Sequence, residues 1–271
     1  MLAVVAAAPE ITWSLAPGPI VLLASLTAWY VVRWRRVGAG AWRLASFLAG
    51  IAMCVAALLS PVDPLGERLF LMHMVQHLLL LDIAPVLLLL GLTRKIMRPA
   101  TRRLLVIERS VGFLATPVFA ISLYVATMWF WHVPALYDLA AENDLVHGLE
   151  HISFAIAGGM YWWQIFSPIP GRHRLMGLGP AGYMLSTKVL VGLLGVFLTF
   201  APASFYEFYE SQPPTWGLDP AEDQAVGGAI MALEQMIVMG AAFAWLFVRM
   251  LGDSERQLRR TERLAERRAP A

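Results

Sequence analysis

Apolar residues occur in seven long, nearly uninterrupted stretches of the chain, separated by short segments that hold most of its prolines and charges. A helix crosses the hydrocarbon core of a bilayer in roughly 20 apolar residues, and each stretch is about that long. The spans predicted are Pro17–Trp34, Ala41–Ser60, Leu69–Leu92, Phe113–His132, Val146–Phe166, Ala181–Ala201 and Gln224–Met250. The pattern therefore predicts an all-α, polytopic membrane protein that folds as a bundle of seven transmembrane helices.

Basic residues are concentrated in alternate connections, and their positions predict the orientation of the bundle. The odd-numbered connections and the C-terminal segment are basic; the main runs are Arg33–Arg43, Arg94–Arg109 and Arg256–Arg268. The even-numbered connections are acidic. Because cytoplasmic loops carry the excess of basic residues, we predict an outer N-terminus, with Met1 to Ala8 as a short outer tail, and an inner C-terminus. Residues 1–250 are predicted to form the seven-span domain and residues 251–271 a basic cytoplasmic tail.

The composition agrees with a membrane protein. Hydrophobic residues make up 58% of the chain and charged residues only 15%, whereas a soluble domain carries roughly a quarter charged residues. Membrane lipid is therefore an expected partner, and nucleic acid is not. Cys54 is the single cysteine, which excludes an intrachain disulfide and a thiolate metal cluster within one chain. Aromatic residues near the predicted outer edges, among them Trp129, Tyr206 and Tyr209, are interpreted as an interfacial belt.

Five of the six histidines fall at the outer ends of predicted spans, within about two helical turns of one membrane face. They are His73, His77, His132, His147 and His151. Two histidines four residues apart share one face of a helix, so their imidazoles can ligate the same metal ion. A third helix contributes its own histidine, which makes a metal site between facing helices plausible. His173 falls on the opposite, cytoplasmic side, where a solvated role is expected.

The chemistry of these residues narrows the metal only to a transition metal, because imidazole suits zinc, copper, iron and nickel. Met72 and Met74 flank His73, and thioethers favour Cu(I). Neighbouring helical residues point about 100° apart, so at most one of these methionines can join a shared site. Glu150 lies between the two histidines of the fifth span and is interpreted either as a ligand or as a group that orients one.

Three charged residues lie inside predicted spans, where an unpaired charge is costly. Asp82 and Lys188 both come to roughly 10 Å above the inner boundary, so we predict that they form an ion pair. Glu234 lies near mid-membrane without an evident partner; it is expected either to hold a proton or to face the histidine cavity from below.

With these residues in view, the chain resembles the multi-spanning CtaG family of bacterial cytochrome c oxidase assembly factors. The resemblance depends on four motifs between the third and seventh spans, and the first two spans carry no family mark. The motifs are His73-Met-Val-Gln-His77 leading through Ala84-Pro85 to Gly91; Trp131-His132-Val-Pro134-Ala-Leu-Tyr137-Asp138; His147-Gly-Leu-Glu150-His151 leading to Trp162-Trp163; and Asp223-Gln224 followed by Gly227-Gly228 and Met231.

The resemblance implies a protein of the bacterial cytoplasmic membrane that helps to build a respiratory haem–copper oxidase and matures its copper centre. Cytochrome c oxidase subunits and other copper chaperones are then the expected partners. That copper centre lies outside the cytoplasmic membrane, on the face where the topology independently places the five histidines. Copper is therefore the expected cargo, with zinc as the alternative, and a metallochaperone needs no catalytic step.

Three alternatives remain open at this stage. His147-x-x-Glu150-His151 matches an inverted zinc-protease pattern, which indicates an intramembrane zinc-dependent hydrolase. A b-type haem protein is disfavoured, because two histidines four apart on one helix cannot ligate opposite faces of one haem. The third alternative is a scaffold for an assembly intermediate that binds no metal.

Overall fold

The computed structural model describes residues 12–169, 171–173 and 175–266, and this part of the chain is all-helical, with no strand. The all-α prediction is confirmed. The predicted outer tail from Met1 to Ala8 lies outside the described residues, and so do Arg174, Arg267 and Arg268 of the basic segments.

The described helices are α1 (Pro17–Val37), α2 (Ala41–Leu58), α3 (Val62–Gly66), α4 (Phe70–Leu78), α5 (Ala84–Gly91), α6 (Arg94–Val111), α7 (Pro117–Trp131), α8 (Pro134–Glu142), α9 (Asp144–Phe166), α10 (Gly179–Thr199), α11 (Glu207–Glu210) and α12 (Pro220–Glu266). A π-helical segment, Leu79–Ile83, joins α4 to α5 in one continuous run, and a 3-10 turn, Gly112–Ala115, precedes α7.

Each predicted span coincides with one long helix or helical run of the structure. Three of them, Ala41–Leu58, Phe70–Gly91 and Gly179–Thr199, are long and apolar enough to cross a membrane. Arg94–Ala115 and Pro117–Trp131 form a fourth candidate as a pair bent by 65°. The membrane-helix character is thereby confirmed, while seven spans and their orientation stay predictions. Helix α12 runs unbroken past residue 250, so the predicted start of the C-terminal tail falls inside this helix.

Close packing of α9 on the π-helical segment brings the two histidine-bearing helices together. Gly158 of α9 lies directly against the backbone of Leu81, and a Cβ atom at this position would be 2.0 Å from the Leu81 carbonyl oxygen. Only glycine fits there. The contact fixes the spacing between α9 and the run that contains α4.

The start of α4 is held by a carboxylate from a distant part of the chain. The first N–H groups of a helix lack partners within the helix, and α4 has no side-chain cap of its own. Asp223 of α12 accepts hydrogen bonds from the backbone N–H groups of Phe70 at 2.6 Å and Leu71 at 3.0 Å. This buried cap positions the turn of α4 that carries His73.

Candidate metal site

The five predicted histidines meet at one end of the helical bundle. His73 and His77 lie on α4, His147 and His151 lie on α9, and His132 follows the last residue of α7. Ring centroids are 4.3 Å apart for His73 and His77, 4.2 Å for His147 and His151, and 5.2 Å for His73 and His147. His132 lies at the edge of this group, with its ring 6.1 Å from that of His77. We call these five side chains and Glu150 the histidine cluster.

Glu150 occupies the centre of the cluster and is fully buried. Its Oε2 lies 3.5 Å from Nε2 of His73 and its Oε1 lies 3.3 Å from Nε2 of His77. These contacts are close enough for ion pairs but are not aligned as hydrogen bonds. One donor atom from each of His73, His147 and Glu150 lies within 4.8 Å of the others, so these three side chains could hold a metal ion.

Buried polar atoms without a hydrogen-bond partner are concentrated in and beside this cluster. Within the described part of the chain they are Nε2 of His73, Oε1 of Gln76, both ring nitrogens of His77, Nε2 of His147, both oxygens of Glu150, Nε2 of His151, Oε1 of Glu234 and Oε1 of Gln235. Such atoms are rare in folded proteins because each costs about 1–3 kcal/mol. Imidazole nitrogens and carboxylate oxygens are metal ligands, so this donor set fits a transition-metal ion.

Aromatic side chains from the adjacent connections cover the cluster. The ring of Tyr137 in α8 lies 5.1 Å from that of His73, and its hydroxyl is 2.9 Å from the hydroxyl of Tyr209. Tyr209 donates to the carbonyl oxygen of Gly66, and Tyr206 donates to that of His132. Trp129 is exposed, as an interfacial residue should be, but the belt prediction is wrong for Tyr206 and Tyr209. Both are buried, because their hydroxyls find partners inside the protein.

Two acidic groups of the second connection lie at the same end, where Asp63 is half-buried and Glu67 is exposed. Asp63 of α3 accepts a 2.8 Å hydrogen bond from Nε2 of Gln76, the residue before His77. Burial raises the pKa of Asp63 above its ordinary value, and the hydrogen bond from Gln76 partly opposes this shift. Partial loss of solvent around Glu67, together with the negative charge of Asp63, raises the pKa of Glu67 above its ordinary value.

Of the two methionines beside His73, one points into the site. Met74 is buried, and its Sδ lies 3.3 Å from Nε2 of His132, whereas Met72 is only half-buried. This agrees with the helical geometry, which allows at most one of them to face a shared site.

The predicted ion pair between Asp82 and Lys188 is wrong. Asp82 lies in the π-helical segment, where the Tyr124 hydroxyl donates to both of its oxygens at 2.7 and 2.9 Å and Nε1 of Trp162 donates at 2.8 Å. Lys188 lies on α10, which packs on α7 and α12 rather than on the π-helical segment. Hydroxyl and indole donors therefore satisfy the carboxylate that the sequence assigned to a cation.

A small cavity connects the histidine cluster with the buried carboxylates. Its volume is about 20 Å³, enough for about one water molecule. It is lined by Met74, His77, Leu78, Leu81, Asp82, Met128, Met231, Glu234 and Gln235. Glu234 thus faces the histidine cavity, which was one of the two expectations for it.

Comparison with known proteins agrees with the motifs that form this site. The family model described as cytochrome c oxidase caa3 assembly factor matches residues 26–253. An uncharacterized protein of Mycobacterium leprae is 30% identical in an alignment of 217 positions that covers 73% of this chain and 33% of that protein. Uncharacterized proteins of Mycobacterium bovis and Mycobacterium tuberculosis are 29% identical in alignments of 203 positions that cover 69% of this chain and 31% of theirs. The chain thus spans about a third of the length of these relatives, and no solved structure matches it.

Proposed function

Because the chain belongs to the family of cytochrome c oxidase caa3 assembly factors, we propose that its histidine cluster binds copper and transfers it to an oxidase under assembly. The donor atoms at the centre of the proposed site are a ring nitrogen of His73, a ring nitrogen of His147 and a carboxylate oxygen of Glu150. The ring of His77 lies 4.3 Å from that of His73, and the ring of His151 lies 4.2 Å from that of His147, so we expect both to supply further ligands.

The observation that carries this proposal is the concentration of unpartnered buried donors. Four imidazoles and one carboxylate present lone pairs to each other without hydrogen bonds between them. A bound cation removes this cost by accepting those lone pairs. Nitrogen and oxygen donors from two helices also permit stepwise ligand exchange, so a metal can leave for a partner protein without a catalytic reaction.

The charge distribution supports a site that faces the periplasm. The connections next to the histidine cluster carry acidic residues, among them Asp63, Glu67 and Asp138, whereas α6, which follows the other end of the helical run Phe70–Gly91, is rich in arginine. Basic segments are retained on the cytoplasmic side of a membrane. A periplasmic cluster would lie on the same side of the membrane as the oxidase subunit that holds the copper centre, where copper chaperones can also reach it.

The geometry gives less support to a hydrolase. A hydrolytic role requires Glu150 to activate a water molecule next to a bound substrate. Both oxygens of Glu150 face histidines of α4, and the cavity beside His77 has room for about one water molecule rather than for a peptide. Metal transfer requires no substrate pocket.

Oxidase maturation in cells tests the proposal. A strain that lacks this protein is complemented with the wild type, with a His73→Ala/His147→Ala variant, or with His173→Ala as the control outside the cluster. We expect the wild type and the control to restore cytochrome c oxidase activity and oxidase copper content, and the double variant to restore neither at an equal level of membrane protein. Full restoration by the double variant would contradict the proposal.

A further inference from the structure

The surroundings of the His132 imidazole determine which ring nitrogen carries the hydrogen, and they leave the other nitrogen without one. Its Nδ1 lies 2.6 Å from the backbone carbonyl oxygen of Met128. A carbonyl can only accept, so Nδ1 carries the hydrogen and donates. In the neutral ring the lone pair is then on Nε2, which points at Sδ of Met74 at a distance of 3.3 Å.

Two lone-pair donors therefore face each other in a buried position. A thioether sulfur has no hydrogen to give, and the neutral ring has none on Nε2. In the opposite tautomer, Nδ1 without a hydrogen would lie 2.6 Å from the carbonyl oxygen of Met128, and the two lone pairs would repel each other more strongly. A doubly protonated ring would bury a cation that is hydrogen-bonded to no carboxylate.

A shared metal ion resolves this arrangement, and the distance suits one. For a tetrahedral ion with bonds of about 2.0 Å to nitrogen and about 2.3 Å to sulfur, the lengths found at zinc sites, the two donor atoms lie about 3.5 Å apart. The observed separation of 3.3 Å is close to this value. Two further methionines, Met128 and Met231, line the same cavity as Met74. Thioether donors combined with imidazole select a soft ion such as Cu(I).

We propose that His132, Met74, Met128 and Met231 form a second, soft site for Cu(I), separate from the site of His73, His147 and Glu150. This inference rests on the proposed copper function and deepens it. His77 lies between the two sites: its Nε2 is 3.3 Å from Glu150, its ring is 6.1 Å from that of His132, and it lines the methionine cavity. The ion moves between the sites by exchange of nitrogen, oxygen and sulfur ligands, with its oxidation state unchanged.

Because His132 lies apart from the other histidines, the two proposed sites should differ in their preference for Cu(I) over Zn(II). Zn(II) is satisfied by the nitrogen and oxygen donors around Glu150, whereas thioethers add little to its binding. The full chain should therefore bind one more Cu(I) than Zn(II). A protein that stores Cu(I) at the soft site can discriminate against zinc even though its histidine cluster accepts both metals.

Copper X-ray absorption of the full-length protein in detergent tests the inference. The wild type, Met74→Leu and Met53→Leu are loaded with Cu(I) under reducing conditions and, separately, with Zn(II). Met53→Leu is the matched control, because Met53 is a half-buried methionine of α2 outside both sites. We expect two Cu(I) and one Zn(II) per wild-type chain, with sulfur scattering in the first coordination shell of copper. Met74→Leu should lose one Cu(I) and the sulfur signal, and Met53→Leu should keep both.

A third variant, His147→Ala/Glu150→Gln, separates the two proposals. It should lose the zinc and one Cu(I) but keep the sulfur-bound Cu(I). If the wild type binds Cu(I) through nitrogen and oxygen alone, or if Met74→Leu loads like Met53→Leu, the second site is refuted while the proposed function stands. If the wild type binds no Cu(I), both proposals fail.

Discussion

Substitution of Gly158 by alanine tests whether contact between α9 and the π-helical segment sets the geometry of the histidine cluster. The added Cβ would lie 2.0 Å from the carbonyl oxygen of Leu81 and 2.7 Å from its carbonyl carbon. Ordinary contacts of this kind begin at 3.4 Å, so the two backbones must separate by about 1.4 Å. Backbone atoms cannot turn away as a flexible side chain can, and therefore the helices themselves must move.

This displacement determines how much stability Gly158→Ala should lose. Overpacking of a buried contact costs about 1–3 kcal/mol, and the replacement of glycine in a helix interior returns about 0.5–1 kcal/mol. We expect a net loss of stability of about 1–2 kcal/mol.

Glu150 lies about two turns from Gly158 on the same helix. A shift of α9 moves Glu150 and His147 away from His73, and metal sites tolerate only about 0.2 Å of error in ligand distances. Metal affinity should fall by about 10–100-fold.

Gly159→Ala is a matched control, because a Cβ at the next position meets no atom within 4 Å. Thermal unfolding in detergent and competitive copper titration are compared for the wild type and both variants. Gly158→Ala should unfold earlier and bind copper more weakly, and Gly159→Ala should match or exceed the stability of the wild type. Equal behaviour of the two alanine variants would refute the proposed role of the helix contact.

Three further predictions concern buried polar groups. Trp162→Phe removes a 2.8 Å hydrogen bond to Asp82 and should lower the free energy of unfolding by about 1.5–3 kcal/mol. Lys188→Met should change the free energy of unfolding by less than about 0.5 kcal/mol. Unfolding curves of the two variants in detergent check both values. Asp223→Ala removes the cap of α4 and should lower the free energy of unfolding by about 1–2 kcal/mol in the same assay, with weaker copper binding. Unchanged unfolding would contradict the cap. Burial raises the pKa of Asp63 above its ordinary value of 3.8, so the folded state binds this proton more tightly than the unfolded state does. The free energy of unfolding should therefore fall as the pH rises above about 3.8, and Asp63→Asn should flatten this dependence. An unchanged slope in Asp63→Asn would contradict the prediction.

The sequence was sufficient to predict the convergence of the histidines, because helical periodicity and loop position are local properties. The spacing of four residues placed His73 beside His77 and His147 beside His151, and the order of the spans brought both pairs to one end. The same logic restricted the methionine contribution to one of two neighbours. Met74 indeed faces His132 and Met72 does not.

Partners across helices were less predictable, because they depend on which helices pack together. The depth estimate placed Asp82 and Lys188 at one level but could not show that Tyr124 of α7 would reach Asp82 instead. The contacts that cap α4 and cover the histidine cluster also depend on which helices and loops pack together. Asp223 caps a helix about 150 residues away, and Tyr209 reaches Gly66 across a similar distance, so neither left a local pattern in the sequence.

The copper content of the purified full-length protein tests the central claim most directly. The wild type, His147→Ala/Glu150→Gln and the His173→Ala control are purified in detergent from copper-supplemented cells and their metals are quantified per chain. The account predicts at least one copper in the wild type and the control, and at least one fewer in the double variant. Equal copper in all three proteins would contradict it.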